Sequence, residues 1–247
     1  MINVGSGSSI DDIVAGTVCA WVMPTNTTTT GRIWQKGLFN TGYRLFDVNT
    51  ASLGKLQFAL NRVTTGLLAE SVSGVITANA WNFCAGVYNA AGAASDQKLY
   101  VGSLVAIAAE VPSYTARVLG VGSVVSDAAA DGIIGNRSLG GPFFPGAIAW
   151  LGLWNRVLAK EEIVGTPGGR LLGQQFNPRP TAGCVGFWYP GDNGASSVVD
   201  RTGNGNTGTI TGAAVSVRVP LEHPARLAGT GPRWGGRARR DRSVAWA

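Results

Sequence analysis

The chain has 247 residues, 45% of them hydrophobic and 14% charged, with 36 Gly, eight Trp and a formal net charge of +6. Its length and apolar content allow one large domain with a real core and exclude a disordered chain. Abundant Gly and scarce charge exclude a fold built on solvated helix faces and point to many turns between strands.

The amino-terminal MINVGSGSSIDD lacks the basic and apolar regions of an export signal. TVCAWVMP (17–24) is apolar and ends at Pro, and a Thr-rich loop (26–30) leads into RIWQKG. YRLFDV (43–48) precedes KLQFALN, where Leu56, Phe58 and Leu60 alternate with polar or small residues, the period of a strand with one buried face. WNFCAGVYN (81–89) alternates in the same way and sets Trp81, Phe83, Ala85 and Val87 on one side. QKLYVGSLVAIAAE reads as another strand, with Gly102-Ser103 as a hairpin turn. GIIGN (132–136) and GAIAWLGLWNR (146–156) complete the series, and LAKEEIVG, from Leu158 to Gly165, is the one convincing helix. So many short strands imply an all-β fold of two antiparallel sheets packed face to face, a jelly roll or similar sandwich.

Beyond Gly165 the texture changes. Residues 166–183, rich in Pro, Gly and Gln, read as a linker, and CVGFWYPGDNG adds a strand after it. Asn and Gly in DRTGNGNTGTITG (200–212) form a tight turn feeding a further strand at Thr209-Ile210-Thr211. Residues 216–247 form a basic tail, expected to be extended. Between Arg226 and Arg242 six Arg (Arg226, Arg233, Arg237, Arg239, Arg240, Arg242) meet one acid, Asp241, for +5, so the preceding body is close to neutral. The tail lacks the interleaved aromatics of a nucleic-acid stacking groove, so it reads as a solvated or partner-docking segment, with no specific nucleic-acid partner. No apolar run is long enough to span a bilayer, and no membrane partner is expected.

Chemistry-bearing motifs are scarce. Cys19, Cys84 and Cys184 have neither C-x-x-C nor Cys/His metal spacing; Cys19 and Cys84 lie in apolar runs where buried thiols are common. The single histidine, His223, sits in the poorly patterned tail, and no nucleotide-binding Gly-rich motif or zinc motif occurs. Glu161-Glu162 falls at a helix start, where the helix dipole accounts for it. The expectation is a protein that is not an enzyme and uses no cofactor.

The ordered series from TVCAWVMP to GIIGNRSLGGPFFPGAIAWLGLWNRVLAKEEI, across roughly residues 2–164, resembles the laminin-G-like, concanavalin-A-like jelly roll of many bacterial and phage proteins. The resemblance implies a two-sheet sandwich over residues 1–165. Glucanases sharing this sandwich carry closely spaced carboxylates along one strand, a run absent here. In relatives the strand opening GAI continues with an acidic pair tied to a calcium site; here Ala149 and Trp150 stand instead, which argues against that site. Asp200, Asn204 and Asn206 remain as donors for an ion, with a turn-forming role the stronger reading. Sugar sites on such sandwiches use exposed aromatics, and Trp34, Tyr43, Trp150, Trp154 and Trp188 are the candidates, against the alternative that they fill the core or an oligomer contact.

The implied function is a virion structural protein of a tailed phage, a capsid-surface decoration or a head or tail fibre component. It would be made in the host cytoplasm, displayed on the virion, homo-oligomeric and docked on other virion proteins through its tail. The alternative is a carbohydrate-binding module for host-surface or environmental glycans, and a glycoside hydrolase ranks last. In relatives a stretch like residues 186–212 comes before the AWV strand, whereas here it follows the usual ending. Residues 184–215 are therefore expected to complete the sandwich, in cis or by exchange with another subunit, ahead of the weaker reading of a second domain cut short.

Overall fold

The structure, a computed structural model, describes residues 1–37, 44–49, 53–136, 143–164, 179–191 and 196–212. Fifteen strands are present among them: β1 (Ile2–Gly5), β2 (Ala15–Pro24), β3 (Thr30–Lys36), β4 (Arg44–Asn49), β5 (Lys55–Leu60), β6 (Leu67–Ser71), β7 (Asn82–Asn89) and β8 (Lys98–Ser103). They continue with β9 (Ala109–Glu110), β10 (Tyr114–Val118), β11 (Gly132–Ile134), β12 (Gly146–Trp154), β13 (Cys184–Trp188), β14 (Ser197–Val198) and β15 (Gly208–Ile210). One short helix, α1 (Lys160–Ile163), follows β12.

The strands form two antiparallel sheets, one of nine strands ordered β10-β6-β5-β4-β3-β11-β1-β15-β14 and one of six ordered β13-β12-β2-β7-β8-β9. The fold is the all-β sandwich implied by the composition. Between the sheets lies the main core, where Val18, Ala20, Val22, Leu151 and Leu153 of the six-stranded sheet meet Ile33, Trp34, Leu56, Phe58 and Leu60 of the nine-stranded sheet. The alternation in KLQFALN holds, since Leu56, Phe58 and Leu60 are all buried there.

The six-stranded sheet is buried on both faces. Cys84 and Tyr88 of β7 point into the main core, while Phe83, Ala85 and Val87 join Trp21, Trp150 and Phe187 in a second cluster on the outer face. Leu158 and Ile163, which flank and end α1, pack into that cluster. Glu162 shapes the helix start by accepting from the Ala159 amide at 2.9 Å and from Arg156 Nη1 at 2.8 Å. The Arg156 guanidinium holds the Glu162 carboxyl below its ordinary range.

One local expectation is corrected. Gly102 and Ser103 belong to β8, and the hairpin turn comes after them, closed by Ser103 N donating to Ala106 O at 2.9 Å. Ser103 Oγ accepts from the amides of Val105 and Ala106, and a Cβ on Gly102 would lie 2.8 Å from the Ala108 Cα, so close approach rather than turn geometry explains that glycine.

The strands after residue 183 join the same chain's sheets. β13 pairs along β12, with Leu151 opposite Trp188 and Leu153 opposite Gly186. β15 pairs with β1, Ile2 opposite Ile210, and beyond that pair Thr211 N donates to Met1 O at 3.0 Å while the Met1 amine donates to Thr211 O at 3.0 Å. The linker reading of 166–183 falls mostly on residues outside those described, and so does the whole basic tail.

Candidate functional site

Four of the five aromatics expected to stack on sugars are core residues. Trp34, Trp150, Trp154 and Trp188 are each at most 1% exposed, which corrects that expectation; Tyr43 lies outside the described residues. The reason is local packing. Trp34 stacks on Trp188 at 5.6 Å across the main core, and Trp150 stacks on Phe187 at 5.3 Å in the outer cluster. Trp154 meets Phe187 edge-on and donates from Nε1 to Thr181 Oγ1 at 3.0 Å, while Trp188 Nε1 donates to Asn206 O at 2.7 Å. The Trp154 ring also covers Gly152, where a Cβ would sit 2.5 Å from it. Trp154 and Trp188, with their rings packed and their N–H bonded, and Trp34 and Trp150, buried against neighbouring rings, present nothing to a ligand.

Asp200, Asn204 and Asn206 come together, and what surrounds the carboxylate is donors. Asp200 Oδ1 accepts from Phe187 N, Thr202 N and Thr202 Oγ1 at 2.8 to 3.1 Å, and Oδ2 accepts from Asn206 N and Nδ2, both at 3.1 Å. Asn204 Nδ2 and Asn206 Nδ2 each donate to Val185 O at 3.0 Å, and Asn206 Nδ2 also reaches Ser9 Oγ at 2.9 Å. The cluster is a turn that fastens the 200–206 loop to β13 and to the amino-terminal segment. Among the described residues no group of three His, Cys, Asp or Glu is placed to hold a metal ion.

The cysteines are free, and Cys19 and Cys84 are buried. Burial pushes both thiols well up, and it pushes Cys184 up to about 12, so at neutral pH all three are protonated and poorly nucleophilic. The Arg226, Arg233, Arg237, Arg239, Arg240 and Arg242 side chains and His223 lie outside the described residues.

One end of the sandwich carries the exposed apolar groups that the tryptophans do not supply. Phe143 is 66% exposed, the one exposed aromatic among the described residues, and Leu53 is 70% exposed. The loops here form a rim tied by main-chain bonds. Thr25 N and Oγ1 donate to Pro145 O at 2.6 and 2.8 Å, Asn79 N to Pro24 O at 2.6 Å, and Gly74 N to Leu53 O at 2.7 Å. Between Leu53 and Phe143 the Thr-rich loop is ordered by Asn26 Oδ1, which accepts from the amides of Thr28 and Thr29 at 3.1 and 3.2 Å. An exposed ring beside ordered hydroxyls can meet the apolar and polar faces of a sugar together. The sequence signal was the doubled Phe between prolines, PFFP, where Phe144 turns in and Phe143 turns out.

β15 runs toward this same end. β3 runs from the rim at Thr30 to Lys36; Ile134 pairs with Trp34 and Gly132 with Lys36, so Ile2 and Ile210 lie rimward of Gly208. No helix among the described residues is long and apolar enough to cross a membrane.

Comparison with solved structures finds several similar sandwiches at low identity. A heptameric SAP-like pentraxin from Limulus polyphemus is 16% identical with a TM-score of 0.39, over 59% of this chain and 66% of that one. A putative carbohydrate binding protein from Bacteroides ovatus is 12% identical, TM-score 0.47, over 85% and 56%. Tailspike protein 2 from Escherichia coli O157:H7 bacteriophage CAB120 is 11% identical, TM-score 0.45, over 66% and 22%. This chain thus spans less than two thirds of the length of each. Comparison with curated proteins finds no match. A family model described as the concanavalin A-like lectin/glucanases superfamily, of laminin G type, matches residues 2–164, and with two such sheets closing on one core the chain belongs to that family.

Proposed function

We propose that the protein is a non-enzymatic virion structural component of a phage, a capsid-surface decoration or a head or tail fibre element, docked through its Arg-rich carboxy-terminal residues. The observation that supports this reading is the division of labour along the chain. Every described strand of both sheets lies between Ile2 and Ile210, while residues 213–247 hold seven Arg against Glu222 and Asp241. That is a net +5 on a body of 13 basic and 12 acidic residues, net +1. A concentrated positive segment beside a near-neutral sandwich suits an acidic lattice surface. The test is deletion of residues 213–247. The truncated protein is expected to melt like the full chain yet to be lost from purified particles, which hold the full chain at fixed stoichiometry. Recovery of the full-length protein only as free protein would overturn the reading.

A second reading, glycan binding, is favoured by the rim, where Phe143 stands exposed beside the ordered Thr loop. Phe143→Ala is expected to weaken binding on a glycan array about tenfold or more, in line with one aromatic contact at 1–3 kcal/mol, with no change in melting. An array without any binder removes this reading and leaves the first untouched.

A further inference from the structure

Lys36, the last residue of β3, is fully buried at the end of the sandwich opposite the rim. It shares a face with Trp34, two residues before it. Its Nζ forms an ion pair with Asp11 Oδ1 at 2.8 Å, donates to Ala130 O at 2.8 Å and to Asp127 O, and lies 3.4 Å from Asp127 Oδ1. The oxygens come from two segments far apart in sequence. Asp11 closes the 3-10 turn Ser8–Ile10, and Asp127 opens a turn closed by Ala130 N donating to Asp127 O at 2.9 Å. The segments also grip each other directly. Asp12 N donates to Asp127 Oδ1 and Asp127 N to Asp12 Oδ1, both at 2.8 Å, and Ser126 Oγ donates to Asp12 Oδ2 at 3.0 Å.

Two carboxylates, those of Asp11 and Asp127, thus meet one ammonium. Without the ammonium, Asp11 and Asp127 would repel across a partly buried space. Two carboxylates and two main-chain carbonyls converging on one cation are the donor chemistry of a hard-cation site. Here the cation is covalently attached to the strand.

We propose that Lys36 is a tethered structural cation, its ammonium filling an oxygen cage and clamping the 8–13 segment to the 126–131 loop as a bound metal ion would. The 8–13 segment follows β1, which receives β15, so the clamp also steadies the junction where the late strands enter the nine-stranded sheet. Residue 36 carries the charge and the loops carry the ligands, which makes the two separable by mutation.

The test uses the full chain, with Ca2+ as the stabilising ion and Tb3+ as its luminescent stand-in. Lys36→Ser is expected to lower the melting temperature by about 10 °C, as removal of one partner of a buried pair does in a chain of this size. Millimolar Ca2+ is expected to restore several degrees to K36S and nothing to the wild type. Tb3+ luminescence excited through Trp is expected in K36S and absent in the wild type and in K36S/D11N. If K36S does not fold alone, refolding yield with and without Ca2+ is the readout, with K36S/D11N as control. A K36S protein that melts like the wild type overturns the proposal. So does a Ca2+ or Tb3+ response that is missing in K36S, equal in the wild type, or indifferent to D11N.

Discussion

Deleting residues 184–247 should turn the protein into an aggregating species without a cooperative melt, whereas deleting only 213–247 should not. The larger deletion removes β13 from the edge of the six-stranded sheet, and β14 and β15 from the nine-stranded sheet. Val185, Phe187, Trp188 and Val198, all buried, leave the two cores with it. At roughly 1.5–3 kcal/mol per large buried apolar side chain the loss is on the order of 8 kcal/mol, comparable to the whole stability of a typical domain. What remains has β12 and β1 as open edges and uncovers Trp34 and Trp150, whose stacking partners are Trp188 and Phe187. Bare edges beside exposed indoles promote association. Size-exclusion chromatography and thermal melts decide the matter: a truncated protein that stays monomeric with unchanged melting would show that the late strands are dispensable. Moving residues 184–212 ahead of Met1, with Gly212 joined to it, should restore the melt, because Thr211 and Met1 already exchange main-chain hydrogen bonds at 3.0 Å.

That expectation was legible in the sequence because CVGFWYPGDNG and the TGNGNTGTITG turn look like the start of a sandwich placed after its end. The long alternating strands were equally plain: Leu56, Phe58 and Leu60 in β5 obey period two because only one face of that strand meets the main core. β10 was not legible, since it is an edge strand whose YTARV carries no alternation and whose Tyr114 and Arg117 serve each other, the guanidinium 3.8 Å above the ring. The tryptophans expose the limit of periodicity. Alternation in β12 correctly separates Trp150 and Trp154 from Leu151 and Leu153, but it cannot tell which face meets water. Both faces are buried, because Leu158 and Ile163 lie on the outer one. Lys36 gave no signal either, as a lysine at a strand end reads as solvent-facing until the two distant Asp-bearing segments are brought to it.

Asp200→Ala should be the most damaging single substitution at the turn, lowering the melting temperature by about 10 °C, while adding Ca2+ or EDTA to the wild type should leave it unchanged. The carboxylate is 6% exposed and accepts from five donors spread over β13, Thr202 and Asn206. Removing it strands several of those donors, at roughly 1–3 kcal/mol for each one left without water, and about 3 kcal/mol corresponds to about 10 °C in a chain of this size. The effect spreads because Asn206 is held by Asp200 and its carbonyl accepts the Trp188 indole N–H. Asp200→Asn should fall between, since its amide oxygen can keep one set of donors while its NH2 faces the Asn206 amides. The two readings of this residue then part cleanly. A turn organiser gives wild-type melting indifferent to calcium and a graded loss through Asn to Ala. A calcium ligand would give wild-type melting that rises with calcium and a D200N protein in which that rise has vanished. With both carboxylate oxygens already ringed by N–H and O–H donors, the first outcome is the one the geometry demands.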